Sequence, residues 1–423
     1  MKQTLPMNRE IRPVGTDRVD EYLEIYLNAY PAFKSLDAEC REYYRNKTLL
    51  DMSTDKEVDF YGMFQDDKLV ALMKLVNFRM NLYGKLQPAV GLMSLAVHPL
   101  YKKQRIALSM VRFYEEYTAE KGADVAVLLP FNIGFYRKMG YGLGGRMDEY
   151  HIQTADLPKR KDLSHLRLMT MDDMDDLLAC QERFSSENHG LLVKYEEEIR
   201  GMRGDESLLK VGYYEEDTLQ GYAIYRFVDA SETNYTMNRI EVDELIYRDG
   251  EVLKDLLGFF RNQADLAQTI ILRSGEEDFY HLLPNPAHVS NYYIPYGYLQ
   301  TNLSAMGNMY KILDPVKFVE NTSYRRFPKL DKTVCFRYLD EMSGETSDLV
   351  VTFRDGHWSA SETGDADCTI TCAKSDLSAL LMNCGRLASF LRLGVMEIDK
   401  PEEADVIDLL LYHNQKPFSN SDF

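Results

Sequence analysis

The sequence is short of positive charge. Lysine and arginine number 49 against 67 aspartates and glutamates, a formal net charge of −18 over 423 residues. No concentrated basic face offsets that balance, so a nucleic-acid partner is not expected. An acidic field draws small cations instead, though it also serves solubility alone. No window of 18 apolar residues occurs, and Met1 to Arg12 holds no apolar h-region. Neither a membrane span nor a secretory leader is therefore expected. Cysteine is sparse: Cys40, Cys180, Cys335, Cys368, Cys372 and Cys384 form no CxxC…CxxC pattern, and Cys368 and Cys372 lack histidine neighbours. They read as reduced thiols of a cytoplasmic protein. His281 and His288 lack HxxxH spacing, so no metal is expected. A GxSxG elbow and a Ser-His-Asp motif are both missing, and Ser94, inside an apolar run, reads as structural.

What is present centres on Gly91 to Gly122. An uncharged run, Gly91 to Val97, suits a strand covered on both faces. His98-Pro99 ends it, because proline cannot donate to a ladder. A basic turn follows, Tyr101-Lys-Lys-Gln-Arg105. Ala107, Val111, Tyr114 and Thr118 then recur at helical spacing beside Ile106, Met110, Phe113 and Tyr117, and Gly122 closes the segment. The pattern predicts strand, turn and helix, with Lys102, Lys103 and Arg105 where free amides and the positive end of the helix dipole meet an anion. A merely solvated turn is the alternative.

Upstream, Asp17 to Tyr30 and Asp37 to Leu49 read as helices in a mainly helical stretch of residues 1–50. Val58 to Phe64 and Leu69 to Phe78 flank a hairpin loop, Gln65 to Lys68. Downstream, Ala123 to Leu129 reads as a buried strand stopped by Pro130. Asn132 to Met139 reads as a short helix running into Gly140-Tyr141-Gly142, and Arg146 to Ile152 as a last strand. This order, with Ser94-Leu-Ala-Val-His-Pro99, Lys102-Lys-Gln-Arg-Ile-Ala107 and Phe135-Tyr136-Arg-Lys-Met-Gly-Tyr141, resembles the Gcn5-related N-acetyltransferases (GNAT). In that family's pyrophosphate loop, Arg/Gln-x-x-Gly-x-Gly/Ala, Arg105 stands where the middle glycine usually does. If that position needs close backbone approach, a Cβ crowds the diphosphate. If its backbone is right-handed helical, arginine is tolerated and adds charge.

The following stretch repeats the first. Thr170-Met-Asp-Asp-Met opens a helix with a capping signal. Leu209 to Tyr214 and Leu219 to Phe227 echo the hairpin. Arg239 to Tyr247, Gly250 to Ala267 and Thr269 to Arg273 echo strand, helix and strand, and Tyr293 to Tyr298 echoes Tyr136 to Tyr141. Asp249 and Glu251 in the second turn would repel a diphosphate, so the second copy reads as silent and its Tyr293 as a packing residue. From Lys311 the composition shifts. Ile312 to Val319 begins a helix with proline near its first turn. Val334 to Asp340 and Asp348 to Arg354 read as strands, Asp355-Gly356 as a turn, Trp358 and Cys368 as starts of further strands, and Lys374 to Asn383 and Leu387 to Leu391 as helices.

The fold class is thus α/β and α+β. Two tandem acyl-CoA N-acyltransferase folds, 1–155 and a degenerate 156–310, precede an α+β domain, 311–423. That layout resembles the enhanced intracellular survival (Eis) acetyltransferases, whose third domain is similar to sterol carrier proteins (SCP2-like). The resemblance implies acetyl-CoA as co-substrate, with Leu95, Ala96 and Val97 on its pantetheine arm. It implies Lys103, Gln104, Arg105, Ile106, Ala107 and Leu108 around its pyrophosphate, and Phe131 and Asn132 near it. Tyr136 is implied as proton donor, a phenol of pKa about 10 against a thiol near 8.5. Core packing is the alternative for Phe131 and Tyr136. The base is implied to be the carboxylate of Phe423, whose alternative is a frayed tail. The acceptor is implied to be an amine of a cationic, aminoglycoside-like small molecule or a lysine, and the assembly a homo-oligomer, trimer or hexamer. The competing reading is a non-catalytic ligand- or lipid-binding protein with a decayed CoA site.

Overall fold

The computed structural model describes residues 8–30, 37–294 and 297–421. The chain opens with strand β1 (Arg9–Pro13), then helices α1 (Val19–Ala29) and α2 (Ala38–Thr54). A meander follows, β2 (Val58–Gln65), β3 (Lys68–Leu82) and β4 (Lys85–Val97), then α3 (Ile106–Glu120), β5 (Val125–Leu128) and α4 (Ile133–Arg137). β1 is a departure from the mainly helical stretch expected there. Arg-Glu-Ile-Arg-Pro has no apolar alternation to announce a strand, and it lies at the sheet edge, where proline is tolerated.

The middle of the chain comprises β6 (Arg146–Gln153), β7 (Leu166–Leu168), α5 (Met174–Glu187), α6 (Glu196–Gly204), β8 (Leu209–Glu215), β9 (Thr218–Asp229), β10 (Asn238–Tyr247), α7 (Gly250–Arg261) and β11 (Ala267–Ser274). Thr170 and Asp173 form the expected capping box just before α5. The repeat is visible in the turns. Asp66-Asp67 and Glu216-Asp217 are both left-handed pairs between strands that meet at Gln65–Lys68 and Glu215–Thr218. α7 is shorter than expected because β11 begins at Ala267.

The remainder holds β12 (Tyr293–Ile294), β13 (Tyr298–Leu299), β14 (Leu303–Met306), β15 (Met309–Ile312), α8 (Pro315–Asn321), β16 (Lys332–Leu339), β17 (Thr346–Arg354), β18 (His357–Ser361), β19 (Cys368–Ala373), α9 (Lys374–Leu381), α10 (Leu387–Arg392), β20 (Glu397–Ile398) and α11 (Ala404–Leu411). β16 to β20 form a five-stranded sheet of order β18-β17-β16-β19-β20.

The two larger sheets do not follow the linear order of the chain. The first is β1-β2-β3-β4-β5-β15 and the second β14-β6-β11-β10-β9-β8-β7. β6, expected to end the first sheet, pairs instead with β11, Ile152 opposite Ile270, and with β14. The place beside β5 is taken by β15, Tyr310 opposite Val127. Two strands are thereby exchanged. α3 covers one face of the first sheet, while the other shares a continuous core with the C-terminal sheet, from Phe60 and Phe78 through Tyr310 and Phe318 to Phe336 and Trp358. No disulfide joins the six cysteines. No helix among the described residues is long and apolar enough to cross a membrane.

Candidate active site

β4 and β5 run parallel and pair only from Ala89–Val125 to Leu92–Leu128. The Tyr114 hydroxyl, from α3, lies 2.6 Å from the Val90 carbonyl and 2.9 Å from that of Val127, stapling the paired section from below. Beyond it the strands part. Pro130 ends β5, and β4 carries a bulge, shown by the register shift opposite Leu72 to Lys74 and by Ser94 at φ +56°. Backbone groups of Met93 to Val97 on the β5 side are left outside any ladder with β5. The bulge is held from the end of α1: the hydroxyl of Tyr30, its C-terminal cap residue, donates to the Leu95 carbonyl at 3.3 Å. Ser94 is therefore structural, but as the residue that breaks the ladder.

At the top of β4 the chain turns through Pro99–Tyr101, where His98 Nδ1 accepts from the Leu100 amide. Lys103 and Arg105 then adopt left-handed conformations, φ +63° and +60°. This departs from the right-handed helical backbone considered for Arg105. The position is glycine-like in its dihedrals, at a cost of roughly 1–2 kcal/mol for an L-residue. Arg105 is nevertheless exposed, as are Lys102, Lys103 and Gln104. Gln104 accepts from Arg9 on β1. α3 begins with no side-chain cap and no acidic residue in its first turn. The amides of Ile106, Ala107 and Leu108 have no intrahelical acceptor, so a bare, positive helix end faces the strand opening. Its uncapped amides and surrounding cations suit the diphosphate of a CoA thioester.

α4 stands on the far side of that opening. Asn132 caps it, accepting from the Phe135 amide at 3.0 Å, so this carboxamide oxygen is already engaged. Phe131 is 71% exposed rather than packed in the core, and it meets the Tyr136 ring edge-on at 5.9 Å. Tyr136 is buried between Phe131, Phe135 and Tyr141. Burial, and then the neighbouring Tyr30 phenol, push its pKa up, so it stays protonated. Behind α4, Lys311 on β15 donates to the Met139 carbonyl at 2.8 Å and pairs with Glu115 of α3 at 3.0 Å.

The second copy differs at the equivalent helix end. The Asp249 carboxylate accepts from the amides of Glu251 and Val252 at 3.0 and 3.1 Å. Burial opposes its ionisation, but these amides and Arg248 outweigh it and hold the carboxyl below its usual range. An anion of the chain's own fills the seat that is open in the first copy. Tyr293, expected to pack, is 58% exposed on the two-stranded β12–β13 ribbon. The echo of Tyr136 thus lies on the surface, and Pro295 and Tyr296 within it lie outside the described residues.

A cleft of about 1110 Å³ reaches the mouth of the strand opening, where Met93 and Leu129 line it. Its other walls come from α5, α6, β10 and residues 412–421. Every lysine and arginine on it is ion-paired. Three lining carboxylates, Glu187, Glu276 and Asp278, have no ion pair among the described residues. The C-terminal segment lies along this cleft to Ser421, and Phe423 lies outside the described residues. The bulge tethers and the cleft carboxylates left no local mark in the sequence, because each arrangement brings together residues distant along the chain.

Comparison with known proteins agrees with this geometry. Residues 10–144 match the family model described as an acetyltransferase (GNAT) domain, and residues 190–299 match a second model of the same description. No curated protein matches. Among solved structures, the chain is similar to a GCN5-related N-acetyltransferase from Anabaena variabilis ATCC 29413, at TM-score 0.78 and 14% identity over 98% of this chain and 100% of that one. It is similar to a probable N-acyltransferase from Enterococcus faecalis V583, at TM-score 0.78 and 17% identity over 98% and 99%. It is also similar to Eis1 from Mycobacterium abscessus, at TM-score 0.76 and 18% identity over 98% and 100%. At such identities these structures speak to the fold.

Proposed function

Starting from a chain that carries two GNAT acetyltransferase domains and is an N-acetyltransferase, we propose that it acetylates an amine of a cationic small molecule, aminoglycoside-like, or of a lysine, and that only the first domain is catalytic. The observation that carries this reading is the contrast between the two helix ends. That of α3 is uncapped and preceded by the exposed Lys102, Lys103 and Arg105, whereas that of α7 is filled by Asp249. In this reading the domains are 1–155, 156–310 and an SCP2-like 311–423, with β6 and β15 traded across the boundaries, and the assembly is a homo-oligomer.

Bound acetyl-CoA supplies the acyl group as a thioester. Ile106, Ala107 and Leu108 offer amides to its diphosphate, with Lys103, Gln104 and Arg105 adding polar and cationic groups. Leu95, Ala96 and Val97 present unladdered backbone to the pantetheine arm, and Phe131 and Asn132 border it. Tyr136 holds a proton at its hydroxyl for the departing sulfur; its raised pKa suits a donor that must not ionise first. The Phe423 carboxylate takes the proton from the incoming amine. Glu187, Glu276 and Asp278 leave the cleft with uncompensated negative charge, which favours an ammonium-bearing acceptor.

The test is acetyl-CoA with a panel of polyamines, aminoglycosides and lysine peptides, read by thiol release. Tyr136→Phe is expected to lower kcat on the order of 100-fold while leaving calorimetric acetyl-CoA affinity unchanged. Absence of both CoA heat and thiol release across the panel would overturn the enzymatic assignment of this site and favour a carrier.

A further inference from the structure

Residues 415–421 cross the cleft in a groove floored by three glycines from three separate elements. Gly145 precedes β6, Gly190 follows α5 and Gly275 follows β11. A β-carbon at Gly145 would overlap the Pro417 carbonyl oxygen. One at Gly190 would lie 2.5 Å from the Pro417 Cα, and one at Gly275 would lie 2.6 Å from the Phe418 Cβ and 2.7 Å from its Cγ. These are backbone atoms or the first atoms of a side chain, so no rotamer change relieves the clash and the segment itself must shift.

Polar contacts hold the same segment from its sides. Asn383 Nδ2 donates to the Gln415 carbonyl at 2.7 Å, and Gln415 Nε2 donates to Asn188 Oδ1 at 3.1 Å. Lys416 Nζ lies 2.9 Å from Glu277, and Asn420 Nδ2 donates to Glu244 Oε1 at 2.8 Å. The contacts set the segment's register along the cleft. The glycines set its depth.

We propose that Gly145, Gly190 and Gly275 are positioning residues for the acetyl transfer. Their missing side chains let residues 415–421 lie deep in the cleft that Met93 and Leu129 also line. The proposal rests on the reading of the chain's last carboxylate as the base.

Gly145→Ala and Gly275→Ala test it, since neither position has a positive φ; Gly190, at φ +85°, would add backbone strain of its own. Two readouts are taken on the full chain: the rate at which carboxypeptidase trims the C-terminus, followed by mass, and steady-state kinetics. Trimming should quicken at least about tenfold as the segment leaves its groove. kcat should fall on the order of 100-fold, with KM for acetyl-CoA unchanged. In the Gly275→Ala background, Phe418→Gly removes both clashing atoms. The double variant should then trim and turn over no worse than Phe418→Gly alone.

Unchanged trimming in both alanine variants overturns the groove. Faster trimming at full kcat overturns the positioning role through the reading beneath it: the segment is seated by the glycines, but what lies beyond it is not used. If Gly275→Ala fails to fold, recovery by Phe418→Gly supports the proposal and persistent failure sinks it.

Discussion

His189 sits where three distant stretches of chain meet. The Tyr83 amide, from the β3–β4 turn, donates to its Nδ1 at 3.2 Å, and its Nε2 lies 3.0 Å from the Met382 carbonyl. One nitrogen must accept and the other donate, so the ring is neutral and its tautomer is set. Its face stacks on Tyr83 at 4.1 Å, and the buried Arg325 guanidinium lies 4.1 Å from the centre of the same tyrosine ring. Burial first, then His413 and Arg325, lowers its pKa to about 3. The unfolded chain titrates near 6.5, so it binds a proton that the folded chain refuses. Stability contributed here is complete above pH 6.5 and is lost as pH falls towards 3. At pH 5 the expected loss is about 2 kcal/mol. Unfolding free energies from urea titrations at pH 7 and pH 5 check this: in His189→Gln the gap between them should shrink by that amount. An unchanged gap would place the acid sensitivity elsewhere, His413 being the next candidate.

At the scale of elements, α3 and α7 are built alike but end differently, and the difference was readable in advance. Asp249 and Glu251 stand in the sequence where Arg105 and Ala107 stand in the first copy, and the structure turns that charge difference into a filled cap. Asp249→Ala removes two hydrogen bonds from α7, and its expected cost is about 1 kcal/mol in a denaturation experiment. It should not create CoA binding, because Glu251 remains at the helix start beside its partners Arg160 and Lys254. Measurable CoA heat lost on mutating Arg248 in that variant would contradict the account. Other elements were legible for similarly local reasons: the stripe of α3, the turns at Gln65 and Glu215, the capping box before α5. β1, the β4 bulge and the exposure of Tyr293 were not. An edge strand needs no alternation. A bulge arises from the register of β3 against β4. Whether an aromatic packs depends on what arrives from elsewhere in the chain, and Tyr293, paired with Leu299 across the short β12–β13 ribbon, is left exposed.

At the scale of the whole molecule, the repeat could be read from the sequence, but the partners of β6 and β15 could not. The pairing of each joins stretches far apart in the chain, Ile152 with Ile270 and Tyr310 with Val127. Their exchange has a practical outcome for anyone cutting the chain into pieces. A fragment ending at residue 155 would expose Val125–Leu128, fully buried in the intact molecule, as a bare apolar border while carrying β6 with nothing to lie against. Expressed alone it should precipitate or self-associate; expressed together with 156–423 it should elute with it as one species on size exclusion. A well-behaved monomeric 1–155 would show that the borrowed strand is dispensable. The two halves are, in effect, laced together, and neither can be inherited, transplanted or unfolded without pulling a thread from the other.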